Sequence, residues 1–243
     1  MAARGCQYHN PMPANEPPAK PRLSIVIPVL NEALVLPALL VALAPWRLFA
    51  EIIVVDGGSK DGSAELAVSG GCSLVRSRPG RAMQQNAGAS AAVGHYILFL
   101  HADSRLSIQP NDFLRVLDEA PEWGFFDVRL SGSDWRFRVI ERFMCWRSRL
   151  THVATGDQCL YLSKTRFLST AGFAEIPLME DVELCKRLRS LAAPHVVSAP
   201  VLTSSRRWES QGVLRTVLLM WALRLRYWLG ASPAALHRRY YPK

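Results

Sequence analysis

Four short apolar runs recur in the first hundred residues, and each stops abruptly. Leu23-Ser24-Ile25-Val26-Ile27 ends at Pro28, Ile52-Ile53-Val54-Val55 at Asp56, Cys72 to Val75 at Arg76, and Tyr96 to Leu100 at His101. The first, second and fourth runs read as buried strands, and Cys72 to Val75 as a weaker third strand. Between them the spacing changes. Glu32 to Leu43 carries Leu36, Leu39, Leu40 and Leu43 at helical intervals, Lys60 to Val68 suits a short helix, and Gly80 to Ala92 is an alanine-rich one. Repeated strand–helix alternation predicts an α/β fold with a mostly parallel sheet and helices on both faces. Carboxyl ends of parallel strands share one edge, where ligands bind. Glu32, Asp56 and Asp103 are therefore expected to converge on one crevice. A lone Asp after a strand is ordinarily a turn former, so the convergence carries more information than any one of them.

The second half changes character. Trp123 to Leu130 alternates, with Trp123, Phe125 and Asp127 expected on one face. Arg136 to Leu150 reads as a basic amphipathic helix, and Gly156 to Leu162 as a short strand after a turn. Asp181 to Leu191 reads as a helix with Glu180 and Asp181 at its start, and Gly212 to Leu229 as a long apolar helix. Residues 1–21 carry Pro11, Pro13, Pro17, Pro18 and Pro21 and are expected to form a flexible tail. A main domain over 22–205 and a basic, aromatic helical segment over 206–243 follow it.

The formal charge of +9 comes almost entirely from arginine. It suits phosphate groups or an anionic membrane surface, or is simply a solvated basic face. No DNA- or RNA-binding motif accompanies it, so nucleic acid is not expected as a partner. Cys6, Cys72, Cys145, Cys159 and Cys185 are scattered without a CxxC pair, which argues against zinc and a disulfide framework and fits a reducing cytoplasm. No signal peptide is evident. Val217 to Leu223 is far shorter than the ~20 apolar residues a membrane span needs. Trp221, Tyr227 and Trp228 among arginines suit either a helix packed on the domain or a peripheral contact with the inner face of a membrane.

The phosphate cradles G-x-G-x-x-G and G-x-x-x-x-G-K-[ST] are both absent. Other motifs stand in order: Ser24 to Glu32, Val54 to Gly62, Asn86-Ala87-Gly88, Phe99-Leu100-His101-Ala102-Asp103, Ala171-Gly172-Phe173 and Glu180 to Leu184. Each is weak alone. Together, over about residues 22–210, they resemble the family 2 glycosyltransferases. The variants His101-Ala102-Asp103, Gly156-Asp157-Gln158 and Arg206-Arg207-Trp208 resemble the bacterial arsenosugar-biosynthesis-type subgroup.

The resemblance implies a GT-A fold with a Rossmann-like sheet, a nucleotide-diphospho-sugar donor and inversion at the anomeric carbon. Pro28, Leu30, Asn31 and Glu32 would wall the nucleotide pocket, joined by Gly57, Ser59, Asn86 and Ala102. Asp56 would accept hydrogen bonds from the base, and Arg81 would grip phosphate or base oxygens with two donors. Asp103 would ligate Mg²⁺ or Mn²⁺. His101 stands where the family carries Asp, and would meet the ribose, ligate Mn²⁺ or hydrogen-bond the protein. Asp181 would be the base that inversion requires, with Glu180 beside it and the reverse assignment open. Both acids also complement a helix dipole. Gly156, Asp157, Gln158, Arg206, Arg207 and Trp208 would serve the acceptor, small or lipid-linked, and the diphosphate. A non-catalytic nucleotide-sugar-binding or membrane-surface adaptor of the same fold is the competing reading; Asp103 with Glu180-Asp181 opposes it.

Overall fold

The computed structural model describes residues 21–241, so the expected tail lies outside the described residues but for Pro21. The strands are β1 (Leu23–Val29), β2 (Ala50–Asp56), β3 (Ser73–Arg76), β4 (Tyr96–Phe99), β5 (Arg105–Leu106), β6 (Trp123–Leu130), β7 (Tyr161–Ser163) and β8 (His195–Thr203). They form one sheet in the order β3-β2-β1-β4-β7-β6-β8-β5. The half built by β3, β2, β1 and β4 is parallel. β7 joins β4 and β6 antiparallel, β8 runs parallel to β6, and β5 caps the far edge antiparallel.

Successive side chains of a strand point to opposite faces, and the two cores divide accordingly. Leu23, Ile25 and Ile27 of β1, with Ile52 and Val54 of β2, face one core. Against them pack α1 (Leu36–Ala42) and α4 (Pro110–Asp118), which contribute Leu36, Leu39, Phe113 and Leu117. Val26, Ile53, Val55, Ile97 and Phe99 face the other core. That side is covered by α3 (Arg81–Ala91), α6 (Lys164–Ser169) and α7 (Glu180–Arg189). Gly88 lets α3 lie directly on the sheet, since a Cβ there would collide with Val26 and Val55. The short helix α2 (Ser63–Ser69) connects β2 to β3.

Several elements differ from expectation. Helix α1 starts at Leu36 rather than Glu32, because Asn31 adopts φ 56° and Pro37 suits only a first turn. Gly156–Gln158 is a 3₁₀ turn, and the following strand is confined to Tyr161–Ser163. β6 does align Trp123 with Phe125, yet Phe126 on its opposite face is equally buried. β8 escaped the sequence reading because Ser198 and Pro200 interrupt its pattern; it is held by the β6 pairing, with an irregularity between Phe126 and Val128. Helix α5 (Trp135–Thr151) follows β6. The chain ends in α8 (Arg206–Gln211), α9 (Val213–Trp228) and α10 (Pro233–Tyr240). No helix among the described residues is long and apolar enough to cross a membrane. Cys72, Cys145, Cys159 and Cys185 are free thiols.

Candidate active site

The loops after β1 and β2 are laced together. The Asn31 amide donates to Ser59 Oγ (2.9 Å), and Asn31 Oδ1 accepts from the Lys60 amide (2.9 Å). The Glu32 amide donates to Ser63 Oγ and the Ala33 amide to Asp61 Oδ2, each at 2.9 Å. Buried Asp56 closes its own turn, accepting from the amides of Gly58 (3.2 Å) and Ser59 (3.0 Å). Its expected contact with a base must therefore use the lone pairs these bonds leave. The buried Gln84 clamps the two strand ends, donating to Val29 O (2.8 Å) and Val55 O (2.9 Å). Gly57 passes beneath it; a Cβ there would lie 3.0 Å from its Cδ. Pro28 is half-buried at this edge, and Leu30 is exposed enough to offer an apolar wall.

At the end of β4, Ala102 is buried and Asp103 is 32 % exposed. Burial and the Asp103 charge push the Glu32 carboxyl up, which places the two carboxylates in one field. Arg206 approaches Asp103 from α8 at 3.9 Å. This corner opens on a cleft of about 400 Å³ lined by Leu34, Ala102, Asp103, Ser131 and Arg206. Glu32, Asp56 and Asp103 all follow strand ends at one sheet edge, and of the three only Asp103 lines this cleft.

A second corner forms where α7 begins. Asp181 Oδ2 accepts from the Gly156 amide (2.8 Å) and its Oδ1 from the Val182 amide (2.6 Å). Gly156 brings in His101 as well. A Cβ there would lie 2.6 Å from His101 Cε1 and Nε2, so only glycine admits the ring. His101 Nδ1 faces Asp157 Oδ1 at 3.8 Å. Burial, and then the Arg81 charge, hold the imidazole down at about 4, so it is neutral at pH 7. His101, Glu180 and Asp181 share a small cavity with Gln85 and Phe99. Burial and the neighbouring Asp181 raise Glu180 to about 7, against the opposing charge of Arg81 at 3.9 Å.

Two expected contacts are corrected. Asn86 is not free to meet a nucleotide: its amide clasps Phe173, donating to O and accepting from N, both at 2.9 Å. Gln158 is fully buried. It accepts from Ser148 Oγ (2.6 Å) and donates to Phe126 O (3.3 Å), so it cannot reach an acceptor. Arg207 stacks 3.6 Å over Tyr240 and donates to its carbonyl (3.1 Å), while Trp208 is half-buried on α8. Tyr241 reaches Arg81, its hydroxyl accepting at 3.2 Å. Sequence reasoning missed Tyr240 and Tyr241, the latter 160 residues from Arg81 along the chain. It also missed Gln85, whose buried Oε1 has no partner among the described residues.

Glu180 carries a pH signature. The unfolded carboxyl releases its proton near 4.5, whereas the folded one holds it to about 7. Between those values the folded state binds the extra proton, so stability falls as pH rises through the window and the contribution is gone above 7. Glu180→Gln is expected to flatten that slope and to gain on the order of 1–3 kcal/mol over wild type at pH 8. Urea melts at pH 5 and pH 8 check it; equal slopes would refute it.

Comparison with known proteins places the chain. Residues 24–173 match the model of glycosyl transferase family 2. No curated sequence matches the chain. Among solved structures, TarS 1–349 of S. aureus superposes with TM-score 0.60 at 16 % identity, over 76 % of this chain and 60 % of that one. The mannosyltransferase PcManGT of Pyrobaculum calidifontis, in complex with GDP-Man and Mn²⁺, gives 0.57 at 17 %, over 79 % and 58 %. Glucosyl-3-phosphoglycerate synthase of Mycobacterium tuberculosis, with Mn²⁺, UDP and glucosyl-3-phosphoglycerate, gives 0.57 at 21 %, over 83 % and 78 %. The chain spans about 60 % of the TarS structure's length. At these identities the structures speak to fold alone, and that fold is the GT-A α/β architecture of glycosyltransferases. Because the family model covers more than half of the 243 residues, the chain belongs to glycosyl transferase family 2.

Proposed function

We propose that the chain transfers a sugar from a nucleotide-diphospho-sugar to an acceptor hydroxyl, inverting the anomeric carbon. The observation that carries this reading is the pairing of two corners through Gly156. One corner holds Asp103; the other holds Asp181, whose anchor Gly156 lies against His101, two residues before Asp103.

Asp181 is the proposed base. Two backbone amides fix its carboxylate, and each oxygen keeps a lone pair for an acceptor hydroxyl. Glu180, protonated near neutrality, spares Asp181 a second adjacent charge. A raised carboxyl also suits a base working near pH 7, so Glu180 is the second assignment. Arg81 from α3 and Arg206 and Arg207 from α8 suit a diphosphate. The unpartnered Gln85 Oε1 is an acceptor for a substrate hydroxyl.

The donor set fits a metal carried by the substrate. Among the described residues no group of three or more His, Cys, Asp or Glu forms a cage. Mg²⁺ and related ions at phosphate sites need only one or two carboxylates besides the phosphates. Asp103 would hold Mg²⁺ or Mn²⁺, and neutral His101 would favour Mn²⁺ if it joined. Such an ion offsets charge on the departing nucleoside diphosphate. PcManGT and glucosyl-3-phosphoglycerate synthase were crystallised with Mn²⁺, in line with this reading. The sequence variants noted above keep the arsenosugar-biosynthesis-type subgroup as our narrower assignment.

The test is a donor screen. UDP-, GDP- and dTDP-sugars, each with and without Mn²⁺, are added to the protein while melting temperature and nucleotide release are followed. At least one pair is expected to stabilise the fold in a metal-dependent way. Stabilisation and release by none would overturn the proposal.

A further inference from the structure

Two helices carry apolar stripes on the side turned away from the protein. Helix α9 packs through Thr216 and Leu223, both fully buried. Its opposite face bears Leu214, Leu218, Trp221, Leu225 and Trp228, which are 57–75 % exposed. Helix α5 packs through Phe137 and Ser148. Its opposite face bears Trp135, Val139, Phe143, Trp146 and Leu150, 43–72 % exposed. Steps of three and four residues make each set one continuous stripe. Four of the seven tryptophans stand on these stripes. An outward-facing patch of this kind marks an interaction surface.

The two helices border one structure. Val153, just past the end of α5, packs in one cluster with Leu223 and Tyr227 of α9 and with Leu178, Met179 and Val182. That cluster supports the segment bearing Glu180 and Asp181.

Charge selects the occupant. Arg142, Arg215, Arg224, Arg226, Arg238 and Arg239 make no ion pair among the described residues. Residues 210–243 contain no Asp or Glu. The only acid within α5, Glu141, already pairs with Arg138 at 2.9 Å. A second copy docked through these faces would set arginine against arginine without a counter-charge. A bilayer of anionic lipid supplies the counter-charge, an interior for leucine and an interface where tryptophan is favoured. We infer that the apolar faces of α5 and α9 seat the protein on an anionic lipid surface. The surface would lie beside the segment that carries Glu180 and Asp181.

Vesicle flotation of the full chain tests this independently of any transfer activity. The expected result is binding to phosphatidylglycerol/phosphatidylcholine vesicles with a blue shift of tryptophan emission, and little binding to phosphatidylcholine alone. Trp221→Glu with Leu225→Glu, and separately Trp146→Glu with Leu150→Glu, should each weaken partitioning more than tenfold. These positions are exposed, so melting temperature should hold. Arg215→Gln, Arg224→Gln and Arg226→Gln together should cost roughly a hundredfold, at about fivefold per cation near such a surface. Absence of vesicle binding, or binding that neither stripe pair alters, would overturn the inference. So would a dimer in sedimentation velocity that the glutamate pairs dissolve while vesicle binding persists.

Discussion

Asp181→Asn is expected to lower sugar transfer by about 10²–10⁴-fold, the span that loss of a positioned base produces. Donor affinity should change by less than about threefold on the same argument, because only the proton-accepting step is removed. Asparagine has nearly the shape of aspartate, and its carbonyl oxygen can keep the 2.8 Å bond from the Gly156 amide. That bond holds Gly156 against His101, so the Asp103 corner should stay in place. What asparagine cannot do is take a proton. Single-turnover transfer alongside donor-induced stabilisation separates the two readouts. If Asp181→Asn turns over normally while Glu180→Gln does not, the base is Glu180.

The second large effect belongs to Asp103. Asp103→Asn is expected to abolish the metal-dependent part of donor binding and to lower transfer by about a hundredfold or more, several kcal/mol of charge stabilisation being at stake. In wild type, donor and Mn²⁺ at a hundred times the dissociation constant should add about 2.7 kcal/mol of stability. For a domain of this size that is a rise of roughly 5–10 °C in melting temperature. The increment should vanish in Asp103→Asn and on EDTA treatment of wild type. The reason is local. Asp103 and Glu32 share one field, and the nearest cation is Arg206 at 3.9 Å, more than half exposed. An Mn²⁺ increment that survives in Asp103→Asn would move the metal to other ligands.

The parallel half of the fold was legible because its signal is local. β1, β2 and β4 are buried on both faces, and unbroken apolar runs state that directly. Strand ends follow from strand identity, so the placement of Glu32, Asp56 and Asp103 along one edge followed too. Asn86 and Gln158 were misplaced for a related reason. An amide beside a functional motif looks the same in sequence whether it faces a ligand or, as here, the Phe173 and Phe126 backbone. β8 was invisible because its pattern is broken and its stability comes from β6.

By itself, the order of apolar runs determined the layered α/β sheet and which carboxylates reach its edge. It also placed Glu180 and Asp181 at the head of a helix, as that helix bears out. Tertiary structure alone decided which partners those acids have. Gly156 makes room for His101, and its amide anchors Asp181; Arg206 comes back to Asp103, and Tyr241 to Arg81. It also decided that α5 and α9 turn leucine and tryptophan outward, where the composition suited a packed helix equally well. Periodicity is written in neighbouring residues, whereas these contacts join segments far apart in the chain and exist only once the helices have packed.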